Sequence, residues 1–304
     1  MTIEQILAYI IPILVWIVTI TITLRLVIKK QSVPTMLSWL IVIYVFPVVG
    51  IIAYLIFGEI NLGKHRAAMF EQLKPKYMDW FKHLSHCDNL INTQTNLLYR
   101  PIFDLANQRL GVPCILGNEL HILDTPESIM RSIIHDINQA EKSINMVFYI
   151  WSAQGLVNEV TQALINARQR GVAIHILLDS VGSRPFLKSA ECQAMRNNGI
   201  EVTETLHVNL FRMFFNRIDL RQHRKIIVID NQISYTGSMN MVDPKFFKKN
   251  SNVGEWIDIM VRINGPVSSV LNGLHAWDWE IETGVKLPLD VPDCPLLPLE
   301  QNNS

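Results

Sequence analysis

Two stretches near the N-terminus contain no charged residue: residues 6–24 and residues 31–58. A helix of about 20 apolar residues crosses the hydrocarbon core of a bilayer. Both stretches meet that length, and core helices of soluble proteins are seldom so long without a charge. Residues 1–60 are therefore expected to form a transmembrane hairpin, turning at Arg25, Lys29 and Lys30. Trp16, Trp39, Tyr44 and Tyr54 are candidate interface anchors. Glu4 precedes the first stretch with no Lys or Arg before it, and no small-residue cleavage site follows, so a cleaved signal peptide is not expected.

This greasy end explains the unusual composition. Charged residues make up only 18% of the 304, against about 25% in an ordinary domain. The whole chain has 27 basic and 27 acidic residues. Residues 1–58 hold three cations and one anion, net +2, which leaves 24 cations and 26 anions, net −2, for residues 59–304. Such a balance gives no support to general nucleic-acid binding, which needs a positive excess. Arg25, Lys29 and Lys30 in the turn face Lys64, Arg66, Lys74, Lys76 and the α-amino group outside it. By a small margin the positive-inside rule puts the main domain in the cytoplasm. Cys87, Cys114, Cys192 and Cys294 are far apart in sequence, so neither a disulfide framework nor a zinc site is expected.

Residues 61–116 read as a connector. Met69, Leu73, Tyr77, Trp80, Phe81 and Leu84 recur at roughly helical spacing among lysines. Such a helix either lies on an anionic bilayer or packs on the main domain. From residue 117 strands and helices alternate, which argues for an α/β layered domain over residues 117–286. Strands are expected over 119–123, 143–151, 172–179, 200–205, 225–229, 233–238 and 256–263. Helices are expected after Thr125-Pro126, where Thr caps and Pro opens the first turn, and over 155–170, 188–198 and 267–281. Residues 287–304 form a Pro-rich tail.

The chemistry sits in one segment. His223, Lys225 and Asp230 form an H-x-K-x-x-x-x-D pattern, and Gly237-Ser238-Met239-Asn240 follows within a few residues. On a strand, His223 and Lys225 project from one face, about 6–7 Å apart. An imidazole there can attack phosphorus while an ammonium neutralises the phosphoryl oxygens. Ser238 and Asn240 share a side in the same way and can donate hydrogen bonds to a phosphate. Arg212, Arg217, Arg221 and Arg224 add positive charge, interleaved with Leu210, Phe211, Met213, Phe214 and Phe215. On a chain tethered to a membrane, this basic and aromatic rim suggests a phospholipid head group.

These residues resemble the phospholipase D superfamily, and within it the bacterial cardiolipin synthases. The resemblance rests on DLRQHRKIIVID and YTGSMNMVDP, on the N-terminal pair of apolar stretches with Ser38-Trp39 and Pro47, and on MVFYIW, Asp179-Ser180 and Trp256-Ile257-Asp258. It implies an α/β fold: a two-helix transmembrane hairpin followed by one mixed-sheet α/β/α domain of the phospholipase D kind. It implies His223 as nucleophile, with Lys225, Ser238 and Asn240 on the phosphate oxygens. Asp258 would orient the histidine, and Asp230 would support the motif from a more structural position. Arg217, Arg221 and Arg224 are the expected head-group contacts. No metal or other cofactor is implied, and the implied substrate is phosphatidylglycerol, at the bacterial inner membrane.

The chain departs from that family in two ways. Val147 stands where relatives often carry an acidic residue. Members also carry two copies of the motif, whereas none of the other eight histidines here has Lys two positions later. The resemblance thus implies a second copy of this chain or a separate second half as partner. Two other readings stay open: a membrane-tethered phosphodiesterase using water, and an inactive lipid-binding fragment.

Overall fold

The computed structural model describes residues 3–29, 32–58, 64–84, 100–110, 115, 117–206, 221–247 and 254–289. They fall into two compact units, one made by the N-terminal helices and one beginning at His65.

In the first unit α1 (Ile3–Ile28) is long and apolar enough over Ala8–Ile28 to cross a membrane. It exposes Ile13, Ile17, Ile20 and Leu24, as a lipid-facing helix would. The second apolar stretch is not one helix but two, α2 (Val33–Val45) and α3 (Pro47–Phe57). Pro47 has no N–H and disfavours the helical region for the residue before it, and Phe46 sits at φ −129°, ψ 72°. Beyond that break α3 folds back on α2. A Cβ on Gly50 would lie 2.5 Å from the Val42 carbonyl oxygen, whereas residues eight apart in a straight helix are separated by about 12 Å. The expected pair of straight spans is thus one long helix and one folded-back pair. Tyr54, expected at the bilayer interface, is instead buried with its ring edge-on to Trp39 at 5.5 Å.

The second unit is built on a seven-stranded mixed sheet in the order β1-β7-β6-β5-β2-β3-β4. The strands are β1 (Glu119–Leu123), β2 (Ser143–Phe148), β3 (Ala173–Asp179), β4 (Glu201–Thr205), β5 (Ile226–Ile229), β6 (Ile233–Gly237) and β7 (Met260–Asn264). β2, β3 and β4 are parallel, and β5, β6, β7 and β1 continue antiparallel. One face packs on α6 (Pro126–Gln139), α7 (Leu156–Gln169) and α9 (Ala190–Asn197), with α8 (Arg184–Leu187) leading into α9. The predicted start of α6 is as expected: Thr125 Oγ1 accepts from the Ser128 N–H at 3.2 Å. The other face packs on α10 (Val267–Thr283), and here alternate residues such as Val147, Ile226 and Val228 are buried.

The basic amphipathic helix, α4 (Lys64–Leu84), packs on this domain. Tyr77 stacks on Trp277 at 5.3 Å and Phe70 on the same ring at 4.9 Å. Lys76 and the Tyr77 hydroxyl both bind Glu280, at 2.6 and 2.8 Å. Gly273 lets the two helices approach, since a Cβ there would meet the Trp80 ring at 2.4 Å. Its apolar stripe is thus spent on α10 rather than on lipid. A further helix, α5 (Arg100–Leu110), lies in the stretch read as connector.

Candidate active site

The topology gathers the motif residues at one end of the sheet. β5 pairs Ile226 with Val147 of β2 and with Thr236 of β6, and β6 pairs Gly237 with Met260 of β7. Lys225 just before β5, Tyr149 just after β2, Ser238 just after β6 and Ile259 just before β7 are therefore neighbours. β5 is shorter than its flanks. Beyond its first residue the extensions of β2 and β6 close on one another: Ser152 N–H donates to the Met241 carbonyl at 2.9 Å, and Met241 N–H to that of Ile150 at 3.0 Å. The segment 221–225 is irregular rather than part of the expected strand, and His223 is exposed.

That exposure is not looseness, because every neighbour of His223 is tied down. Arg221 donates to Asp179 Oδ1 at 2.8 Å and to Ser180 Oγ at 2.7 Å, while Gln222 N–H donates to Asp179 Oδ2 at 3.0 Å. Asp179 is fully buried and also accepts from the N–H groups of Val181 and Gly182, both at 2.9 Å. From α10, Asp278 accepts from the Gln222 amide at 2.8 Å and pairs with Arg224. Burial pushes the Asp278 carboxyl up, and Arg224 and Arg66 pull it back.

His223 and Lys225 meet on the ring of Tyr149. The imidazole centroid is 4.4 Å from the phenol ring, and Lys225 Nζ lies 5.8 Å from the same ring centroid. Lys225 Nζ also donates to the His223 carbonyl at 2.7 Å. Tyr149 is fixed from behind: its carbonyl accepts from Ser183 Oγ at 2.9 Å, and a Cβ on Gly182 would lie 2.7 Å from its ring. Burial lowers the Lys225 ammonium below its ordinary range, partly offset by the Asp258 carboxylate. Ser238 Oγ donates to Asp258 Oδ1 at 2.6 Å and accepts from Ile259 N–H at 3.0 Å. Gly237 is required by this approach, since a Cβ there would meet the Ile259 carbonyl at 2.2 Å. Asn240 is buried beneath, its Oδ1 accepting from Ile150 N–H at 3.1 Å. Imidazole and ammonium thus share the Tyr149 ring, and the Ser238 hydroxyl stands at the same end of the sheet. We call this end the notch; its groups are of the kind that suits a phosphoryl group.

A profile of the family described as "Cardiolipin synthase, PLD-like domain" matches residues 133–261, and one described as "Phospholipase_D-nuclease N-terminal" matches residues 10–59. Cardiolipin synthase A of Yersinia pseudotuberculosis (serotype O:1b, strain IP 31758) is 46% identical over 286 residues, which is 94% of this chain and 59% of that protein. Cardiolipin synthase A of Yersinia pestis (bv. Antiqua, strain Angola) matches to the same extent. Residues 133–261 form a domain of the phospholipase D superfamily. It spans about three fifths of the length of these curated relatives. Among solved structures, the phospholipase D family member Nuc from Salmonella typhimurium matches 54% of this chain and 95% of its own, at 24% identity and a TM-score of 0.41.

Within this phospholipase D-like domain Asp230 stands in a structural position, and the expected roles of Arg221, Arg224 and Asp258 change. Asp230 does not reach the notch. It lies past the far end of β5, roughly 17 Å from Lys225 at the rise of a strand, and accepts from the N–H groups of Glu141, Lys142 and Ser143 at 2.7–2.8 Å. Arg221 is a buried partner of Asp179, and Arg224 pairs with Asp278, so neither is a free head-group cation. Arg217, with Arg212 and the apolar residues 210–215, lies outside the described residues. Asp258, expected on His223, hydrogen bonds to Ser238, and its Oδ2 is buried with no hydrogen-bond partner among the described residues. Val147 is core, packed with Ile226 under α10, and not part of the notch. The sequence reading did not single out Tyr149, Gln222 or Asp278. Asp179 carried a signal, as the one acid closing an otherwise apolar strand.

Proposed function

We propose that this chain carries out phosphatidyl transfer of the cardiolipin-synthase type, joining two phosphatidylglycerols into cardiolipin and glycerol. The observation that carries this reading is His223: exposed at the mouth of the notch while its neighbours on both sides are anchored, with Lys225 Nζ on the same aromatic platform. An imidazole nitrogen of His223 attacks phosphorus, the phosphorus–oxygen bond to the head-group glycerol breaks, and glycerol leaves with a proton. The hydroxyl of a second phosphatidylglycerol then attacks the phosphatidyl-histidine, loses its proton, and breaks the phosphorus–nitrogen bond. Lys225 and Ser238 hold the charge that builds on the phosphoryl oxygens. Asn240 supports the floor, and Asp258 acts through Ser238 and Lys225.

The proton for the leaving glycerol comes from a second such histidine, supplied by a second copy of the chain or by a separate half, and that histidine takes back the proton of the incoming hydroxyl in the second step. Residues 1–60 are the anchor and residues 117–286 the catalytic domain. α1 spans the bacterial inner membrane, the folded-back α2–α3 pair is embedded in it, and the domain faces the cytoplasm.

The test is incubation of the purified chain with labelled phosphatidylglycerol. Cardiolipin with free glycerol is the expected product. Phosphatidic acid alone identifies a hydrolase, and no product at all identifies an inactive fragment.

A further inference from the structure

Among the described residues the ring nitrogens of His223 make no hydrogen bond. A surface side chain held by nothing changes rotamer within nanoseconds. The contact on the ring itself is the Tyr149 phenol, at a centroid distance of 4.4 Å and an interplanar angle of 34°. That is close to the spacing of stacked aromatic pairs. Tyr149 is in turn held by the segment after β3. Its carbonyl accepts from Ser183 Oγ at 2.9 Å, and the same Oγ accepts from the Trp151 N–H at 3.1 Å. A Cβ on Gly182 would lie 2.7 Å from the phenol ring.

Asp179 ties both sides of this contact together. Its Oδ1 accepts from the N–H groups of Val181 and Gly182 and from Arg221, and its Oδ2 accepts from Gln222 N–H. The turn at 181–183 and the segment at 221–223 are thus fastened to one buried carboxylate. The Tyr149 ring touches both, at Gly182 and at His223. None of these contacts depends on what packs against the open side of His223.

We propose that Tyr149 is the positioning residue of the nucleophile: its ring face seats the His223 imidazole and steadies the positive charge that the imidazole acquires on phosphorylation. This rests on reading His223 as the nucleophile of a phosphatidyl transfer. In the first step a ring nitrogen gives its lone pair to phosphorus, and the bond from phosphorus to the glycerol oxygen breaks. That oxygen leaves with the proton of the second histidine. The His223 ring is then positive for as long as its other nitrogen keeps its own proton. A cation within about 6 Å of an aromatic centroid is attracted to the ring face. The seat therefore favours the state after attack over the state before it, which raises kcat rather than substrate affinity. Lys225 Nζ lies 5.8 Å from the same centroid, so one phenol also sets the spacing of imidazole and ammonium. The Tyr149 hydroxyl has no hydrogen-bond partner among the described residues, which leaves the role to the ring face.

The first test needs no turnover. In the full chain, labelled at histidine and tyrosine and held in detergent micelles, nuclear Overhauser cross-peaks are expected between the Tyr149 ring and the His223 Cε1 or Cδ2 protons. The His223 signals are identified by their loss in His223→Gln. Absence of the cross-peaks overturns the seat. The second test compares Tyr149→Leu, which removes the face, with Tyr149→Phe, which restores it, each with its melting temperature. On labelled phosphatidylglycerol the leucine variant is expected to lower kcat about tenfold with KM little changed, and the phenylalanine variant to recover most of that rate. A parental kcat in Tyr149→Leu overturns the proposal. So does an equal loss in both variants, which would place the role on the hydroxyl. If the leucine variant does not fold, Tyr149→Phe and the cross-peaks of the parent still decide. Absence of turnover in the parent chain would overturn the transferase reading, while the cross-peaks decide the seat independently.

Discussion

The two ends of β5 show how one short motif serves two different tasks. At the N-terminal end, His223 is exposed, and the contacts that fix it are made by its neighbours through Asp179, Asp278 and Tyr149. At the C-terminal end, Asp230 spends its carboxylate on three backbone N–H groups and sits with Asn231 at positive φ, 51° and 58°. That is the tight hairpin geometry that Asp and Asn tolerate best. The first end keeps its reactive atoms unspent, and the second spends everything on the fold. Catalytic groups are recognisable by that difference, because a side chain saturated by backbone has no capacity left for a substrate.

The sharpest way to break the contrast is to remove His223. His223→Ala is expected to lower phosphatidyl transfer on the order of 10⁴-fold or more. Its melting temperature should hardly move, since an exposed substitution changes stability by less than about 0.5 kcal/mol. Product formation and thermal unfolding of the same preparation check this. Turnover near that of the parent would remove His223 from the nucleophile role.

Asp230→Ala should do the opposite. Three N–H donors lose a charged acceptor, and alanine must adopt a left-handed conformation, a combined loss of about 3 kcal/mol. A lowered melting temperature with near-parental activity per folded molecule is the expected result. If the activity falls as it does in His223→Ala while the melting temperature holds, Asp230 belongs to the chemistry after all.

Much of this was legible in the chain, and the exceptions have physical causes. The apolar runs over β2, β3 and β5 announce buried strands because their residues face a layer on both sides. H-x-K and G-S-x-N pointed to a phosphate site through residue type, but the period of two behind that reading does not hold, since residues 221–225 and 238–240 lie outside the strands and Ser238 is exposed where Asn240 is buried. Gly237 could even be explained only afterwards, by the close passage of Ile259. The arginines were misread because charge pairing is set by topology. Arg221 meets Asp179 across 42 residues, and Arg224 meets Asp278 across 54, and no local spacing reports such partners. Tyr149 was hidden in MVFYIW, where an aromatic at a strand end looks like core. The break at Phe46 was readable in principle from Pro47, but the length of the uncharged run outweighed it. α4 could not be decided from its own periodicity, because lipid and α10 offer the same apolar surface.

The smallest effect, and the one that most sharpens the contrast, concerns the proton on Lys225. Its ammonium is held below the ordinary lysine range by burial, with Asp258 opposing. A lysine that serves only as a structural cation would have no reason to appear in the rate. One that neutralises phosphoryl oxygens must be protonated, so activity falls as pH rises through its lowered pKa, earlier than for an exposed lysine. Lys225→Arg keeps a charge that does not titrate in that range. Its alkaline limb should therefore move to higher pH, with a lower maximal rate because the fork does not match the ammonium's place on Tyr149. Asp258→Asn removes the opposing influence and should move the limb to lower pH. Rate–pH profiles of the three proteins decide the matter. A limb that stays in place in Lys225→Arg would mean that the charge at this end of β5 is as fully committed to the fold as the carboxylate at the other.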